Sequence, residues 1–140
     1  MGKINLTKVI VGGLVAGLVL NVFDFLVYGV WLKNDMNAAL TALNKPAMST
    51  NMIMWFVFLD FLFGIWLVWL YAAIRPRFGA GPKTAVYAGL AMWVLFGLLH
   101  NLSEAPMGLF PMRLSVITTV AALIEWPIAG VAGAKLYSEM

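Results

Sequence analysis

Four long apolar segments, about 8–32, 51–74, 84–102 and 113–137, set the limits on what this chain can fold into. Each is close to or above the roughly 20 residues that a helix needs to cross a hydrocarbon core of about 30 Å. In lipid every backbone polar group must be satisfied within its own segment, so such segments are helices. None of the three connections is long enough for another domain. The expected fold class is an all-α membrane protein, a four-transmembrane-helix bundle forming a single domain over residues 1–140.

Composition argues against a soluble alternative. The chain is 63% hydrophobic and 11% charged, with a mean hydropathy of +0.92. A soluble domain carries about 25% charged residues, and a core of this size has no room for so much apolar surface. There is no cysteine, which excludes disulfide frameworks, thiolate metal sites and thiol catalysis. Lys3 and Lys8 precede the first segment as they would in a signal peptide. That segment runs on to Leu32 without an A-x-A site and contains Asn21 and Asp24, so it reads as a retained span.

The connections carry the topology. In the first, 33–50, Met36, Ala39, Leu40 and Leu43 follow helical spacing and predict a short interfacial helix at about 35–44, with an ordinary polar loop as the alternative. The second, RPRFGAGPK (75–83), reads as a tight turn with three positive charges, and the third, SEAPMGLFP (103–111), as a turn with one charge. Lys3, Lys8, Arg75, Arg77, Lys83 and Lys135 fall on one side, against Lys33, Lys45 and Arg113 on the other. The positive-inside rule then places both termini in the cytoplasm. Trp31 and Trp55 come near the outer interface, with Trp69, Tyr71 and Tyr137 near the inner one. Topology accounts for the basic second turn; attraction of anionic lipid or an acidic partner is the alternative.

Each span bears one row of small or polar residues at helical spacing. The rows are Gly13, Gly17, Asn21, Asp24, Tyr28; Asp60, Gly64, Val68, Tyr71; Gly89, Trp93, Gly97, His100, Glu104; and Thr118, Ala121, Glu125, Ala129, Gly133. Residues three and four apart share a helix face. Small residues admit close approach and polar ones hydrogen-bond across it, so the rows are inward-facing seams. Asp24 lies about 12 Å below Leu32, Asp60 about 14 Å below Asn51, and Glu125 about 18 Å below Arg113. Asn21, Asp24, Asp60, His100 and Glu125 are therefore the candidate lining of an outward-facing polar pocket. Pro127 cannot bond to the carbonyl of Leu123 and is the candidate kink beside Glu125.

An internal repeat of two helical hairpins is also readable. LDFLFG aligns with IEWPIA at an offset of 65, and AGLVLN with AGLAMW at an offset of 72.

Ionisable residues inside a membrane are functional candidates by default, because an aspartate at a helix centre costs about 2.5–3.5 kcal/mol. The first reading is binding or passage of a proton, cation or small solute, with a homodimer as the working unit. The competing structural reading makes Asn21, Asp24, Asp60 and Glu125 a hydrogen-bond network that fixes helix register. A second function class is a non-catalytic accessory subunit of a larger respiratory or photosynthetic complex, with Trp66, Trp93 and Trp126 away from the interfacial belts. An enzyme has least support. Asp24, Asp60, Glu125 and His100 offer three oxygens and one nitrogen to a metal, but the paired E-x-x-H motifs of di-iron bundles are missing. So are a supported Ser-His-Asp arrangement and a phosphate-cradling loop. No catalytic residue, metal or cofactor is expected, and no nucleic-acid partner. The expected partners are membrane lipids and a second copy or a larger membrane complex.

LYAAIRPRFGAGPKTAVYAGLAMW (70–93), the N-x-x-D of Asn21 and Asp24, and EWPIAGVAGAKLY (125–137) resemble small bacterial four-span membrane proteins without an assigned activity. The resemblance covers nearly the whole chain. It implies the four-helix architecture and a bacterial inner membrane, and no substrate or catalytic residue.

Overall fold

The computed structural model describes residues 2–140, and these form helices with no strand among them. Five helices follow in order: α1 (Leu6–Trp31), α2 (Lys33–Ala42), α3 (Thr50–Phe78), α4 (Pro82–Met107) and α5 (Met112–Ala134). All but α2 are long and apolar enough to cross a membrane. Both termini meet the α3–α4 turn at one end of the bundle. There the backbone N–H of Asn5 donates to the Tyr137 hydroxyl at 3.3 Å and that of Gly81 to the Tyr71 hydroxyl at 3.1 Å. Arg75 pairs with Glu139 at 3.8 Å and lies 5.4 Å from the centre of the Tyr137 ring. We call this the termini end; α2 and the 108–111 turn occupy the loop end.

Helices α3 and α4 run longer than sequence breakers imply and the turn between them shrinks accordingly, whereas α5 stops at Ala134, short of the expected 137. The expected second turn, 75–83, reduces to residues 79–81. Pro76 sits in the last turn of α3, where a missing N–H forfeits a single intrahelical bond. Gly79 then closes the helix, its N–H bonding to the Arg75 carbonyl at 2.8 Å. Its φ of 86° and ψ of 163° lie in a region that glycine alone occupies readily. Pro82 opens α4 in the first helical turn, where its missing N–H has no intrahelical partner to lose. At its far end α4 runs on past residue 102 to Met107, its last turn tightening at Ala105–Met107. The short helix expected at about 35–44 is present as α2.

Two departures from regular α-helix have no counterpart in the sequence reading. Phe25–Trp31 at the loop end of α1 and Val94–Leu99 within α4 are wound as π-helix. Such wider turns occur mostly as short local insertions and often at functional positions.

In cross-section the four long helices form a rhombus. α1 packs on α3 and α5, α4 packs on the same two, and α3 touches α5 across the centre. The seams make the closest contacts. A Cβ on Gly17 would stand 2.7 Å from the Phe61 Cα, and one on Gly64 would meet the backbones of Gly13 and Gly17. On the other side of the rhombus, a Cβ on Gly89 would stand 2.6 Å from the Pro127 Cα, and one on Gly130 would stand 2.8 Å from the Ala85 carbonyl oxygen. Between these contacts lie Leu20, Leu67, Val68, Ala88, Met92 and Trp126, all buried. Trp126 meets Phe63 edge-on at 5.6 Å and stacks on Phe96 at 6.4 Å. Trp66, by contrast, is 59% exposed on the outer surface.

Candidate functional site: a carboxyl cluster between three helices

The rhombus decides which polar residues can meet. Asp24 on α1, Asp60 on α3 and Glu125 on α5 come from three helices that are in mutual contact. Their carboxyl groups converge, with Asp24 lying beside both Asp60 and Glu125. Asp60 and Glu125 are buried, at 8% and 7% exposure, and Asp24 is half-buried. Asp24 is also the last regularly wound residue of α1 before the π-helical turns begin at Phe25.

Asn21 stands one turn from Asp24 toward the termini end. Its amide donates to the Gly17 carbonyl at 3.0 Å and reaches the Val57 carbonyl on α3 at 3.4 Å, so it ties α1 to α3 between the levels of Asp60 and Asp24. Toward the loop end, one turn beyond Asp24, the Tyr28 side chain lies near Thr118 of α5. Thr118 in turn donates to the Ser115 carbonyl at 3.1 Å. Tyr28 and Thr118 both stand on the seams readable in the sequence, at helical spacing from Asp24 and Glu125. That they come near each other is not readable there.

His100 is not part of this group. It lies on α4, on the far side of the α3–α5 contact from α1, and its exposed side chain pairs with Glu104 one turn on at 3.3 Å. Spacing along α4 correctly aligns His100 with Glu104, but it carries no information about which neighbour that face meets. Pro127 lies beneath Gly89 in the α4–α5 contact, and α5 continues through it to Ala134. A second polar link was not foreseen. The Trp93 indole N–H donates to the Thr119 carbonyl at 2.9 Å, and the Asn101 amide donates to the Thr119 hydroxyl at 2.6 Å. The one available signal was Asn101 standing one turn beyond Gly97 in the α4 row.

Among the described residues no lysine or arginine pairs with Asp24, Asp60 or Glu125. No group of three His, Cys, Asp or Glu side chains among them is arranged to hold a metal ion. A carboxylate only accepts hydrogen bonds, so two carboxyls can bond to each other only with a proton between them. The cluster is therefore chemically suited to hold protons in an apolar surrounding. Two surface depressions lie elsewhere. One, of about 470 Å³, is at the loop end between α2 and Phe110, under the Arg113–Asp35 ion pair. The other, of about 330 Å³, is between α4 and α5. Neither is lined by the three acids.

Comparison with protein-family models, with curated proteins and with solved structures finds no match to this chain.

Proposed function

We propose that this chain is an integral membrane protein of a bacterial inner membrane, crossing it four times with both termini in the cytoplasm. In this reading the Asp24–Asp60–Glu125 cluster binds or passes a proton, or another small cation or solute. One observation carries the reading: three acids from three helices come together around Asp24, without a basic partner, inside a bundle of helices long enough to span a bilayer. Register alone needs fewer, because interhelical hydrogen bonds average only about 0.6 kcal/mol and amides or hydroxyls supply them without a charge to neutralise. Tyr28, Thr118 and Ser115 continue the polar line from the cluster toward the loop end, which is the outer end if the positive-inside rule holds.

The test is proton flux in liposomes that contain the purified chain and a trapped pH dye, after a pH jump under an imposed membrane potential. Flux that is lost in Asp60→Asn and in Glu125→Gln, with helicity retained, supports the reading. Flux equal to that of empty liposomes, or unchanged in both variants, overturns the proton version.

The accessory-subunit reading has its own observation. Trp55, Phe58, Leu62, Trp66 and Trp69 follow one another along a single face of α3 and are all exposed, at 61, 54, 39, 59 and 37%. Partner helices of a larger membrane complex would cover such a face. Purification in mild detergent separates the two: a stoichiometric complex with other polypeptides favours the subunit, and a homodimer favours transport.

The two hairpins are, in our reading, one unit used twice. Gly17 rests on Phe61 and Gly13 on Ile65; at the offsets of 72 and 65, Gly89 rests at Trp126–Pro127 and Ala85 at Gly130. Asn21 and Trp93 also correspond at the offset of 72, and each donates a side-chain N–H to a backbone carbonyl of its partner helix.

A further inference from the structure

The groove between α4 and α5 has a chemistry that the acid cluster does not explain. It holds about 330 Å³ and is lined by Val86, Pro127, Ile128, Val131, Ala132 and Lys135. Its walls are aliphatic apart from Lys135, which stands at the termini end. Between Pro127 and Lys135 it runs about 12 Å along the helix. Lys83 lies one turn from Val86 on the same face of α4, toward the termini end. Because Ala85 faces Gly130 across this antiparallel pair, Lys83 and Lys135 stand within about one helical turn of each other along the bundle axis. Both are exposed, and among the described residues neither pairs with an acid. Lys83 instead lies 5.8 Å from the centre of the Tyr87 ring.

We propose that this groove is a binding site for one anionic phospholipid of the surrounding leaflet. An acyl chain lies along Val86, Ile128 and Val131, and the phosphate headgroup sits between Lys83 and Lys135. Basic pockets between membrane helices on the cytoplasmic side recognise anionic headgroups in this way. Charge excludes a parallel second copy as occupant. The termini end carries Lys3, Lys8, Arg75, Arg77, Lys83 and Lys135 against Glu139, which is already held by Arg75. A second copy in the same orientation would set base against base, whereas a phosphodiester complements both lysines. The Pro127–Gly89 contact fixes the floor of the groove, and Ala132 leaves its wall open.

The inference rests on the membrane-spanning reading, and the two can fail separately. Extraction of native membranes at alkaline pH tests insertion: release of the chain overturns the spanning reading and the lipid site with it. For a retained chain, native mass spectrometry of the full-length protein in neutral detergent is titrated with phosphatidylglycerol or with phosphatidylcholine of the same acyl chains. The expected result is one phosphatidylglycerol per chain, held roughly tenfold better than phosphatidylcholine, with the preference lost in the Lys83→Gln/Lys135→Gln double variant. Ala132→Phe, which fills the groove and leaves both lysines, lowers retention of both lipids. Equal retention of the two lipids by the native chain overturns the site, as does an undiminished preference in the double variant. Groove-to-groove cross-linking of two copies without lipid overturns it as well.

Discussion

Replacing Gly17 by valine forces α1 away from α3. The added Cβ would stand 2.7 Å from the Phe61 Cα, 2.8 Å from its ring Cδ1 and 3.0 Å from the Asp60 carbonyl oxygen. Carbon atoms pack comfortably at about 3.5–4.0 Å, so the two helices must separate by roughly 1 Å. Gly64 packs on Gly13 and Gly17 in the same contact, so local adjustment offers no relief. Overpacking of this kind costs about 1–3 kcal/mol. Asp24 lies two turns further along the same seam, so the same separation also draws it away from Asp60. Gly29→Val is the control. There the nearest atom is the Phe25 ring at 3.2 Å, on an exposed surface where the ring can swing aside. Glycine gives way to valine in both variants, so the intrinsic propensity change largely cancels in the comparison. Unfolding in mixed micelles with rising SDS fraction, followed by far-UV circular dichroism, reads the difference. Gly29→Val should stay within about 0.5 kcal/mol of the native chain. If the two variants unfold together, the backbone contact at Gly17 does not set the α1–α3 distance and the reasoning fails.

Other perturbations test the remaining parts in the same assay. Trp126→Ala removes a buried ring held by Phe63 and Phe96 and should cost about 3–5 kcal/mol, whereas Trp66→Ala on the exposed face should cost far less. Gly79→Ala places a side chain at φ 86°, ψ 163° and should lose about 1–3 kcal/mol through strain alone, because nothing lies within 4 Å of the added Cβ. Arg113→Ala breaks the exposed 3.1 Å pair with Asp35 and should change stability by no more than about 1 kcal/mol, less at high salt. Tyr71→Phe removes the hydroxyl that accepts from Gly81 at the α3–α4 turn and should cost about 1 kcal/mol.

Helical spacing made the four long helices and their seams legible, because small and polar residues recur every three or four positions only where a face is reserved for contact. Gly17, Gly64 and Gly89 are where that spacing places them. Similar depth also grouped Asp24, Asp60 and Glu125, and the structure brings the Asp60 and Glu125 carboxyls beside that of Asp24. What spacing lacks is azimuth. It marks which face of α4 carries His100 but not that α4 stands across the rhombus from α1, and so His100 was grouped with acids it does not meet. The π-helical turns at Phe25–Trp31 and Val94–Leu99 left no readable signature, since FLVYGVW and VLFGLL are as apolar as the α-helix around them. The turn at 79–81 was overestimated because Pro76 reads as a breaker, although a proline in a final turn costs one bond and no more.

The absence of cysteine makes the central claim, that three acids meet between α1, α3 and α5, directly measurable. Cysteine pairs introduced at Asp24 and Asp60, at Asp24 and Glu125, and at Asp24 and His100 can be treated in membranes with a short bifunctional thiol reagent. Cross-linking of the first two pairs and not of the third is the predicted result. A cross-link between the Asp24 and His100 positions, with none between those of Asp24 and Glu125, would contradict the cluster.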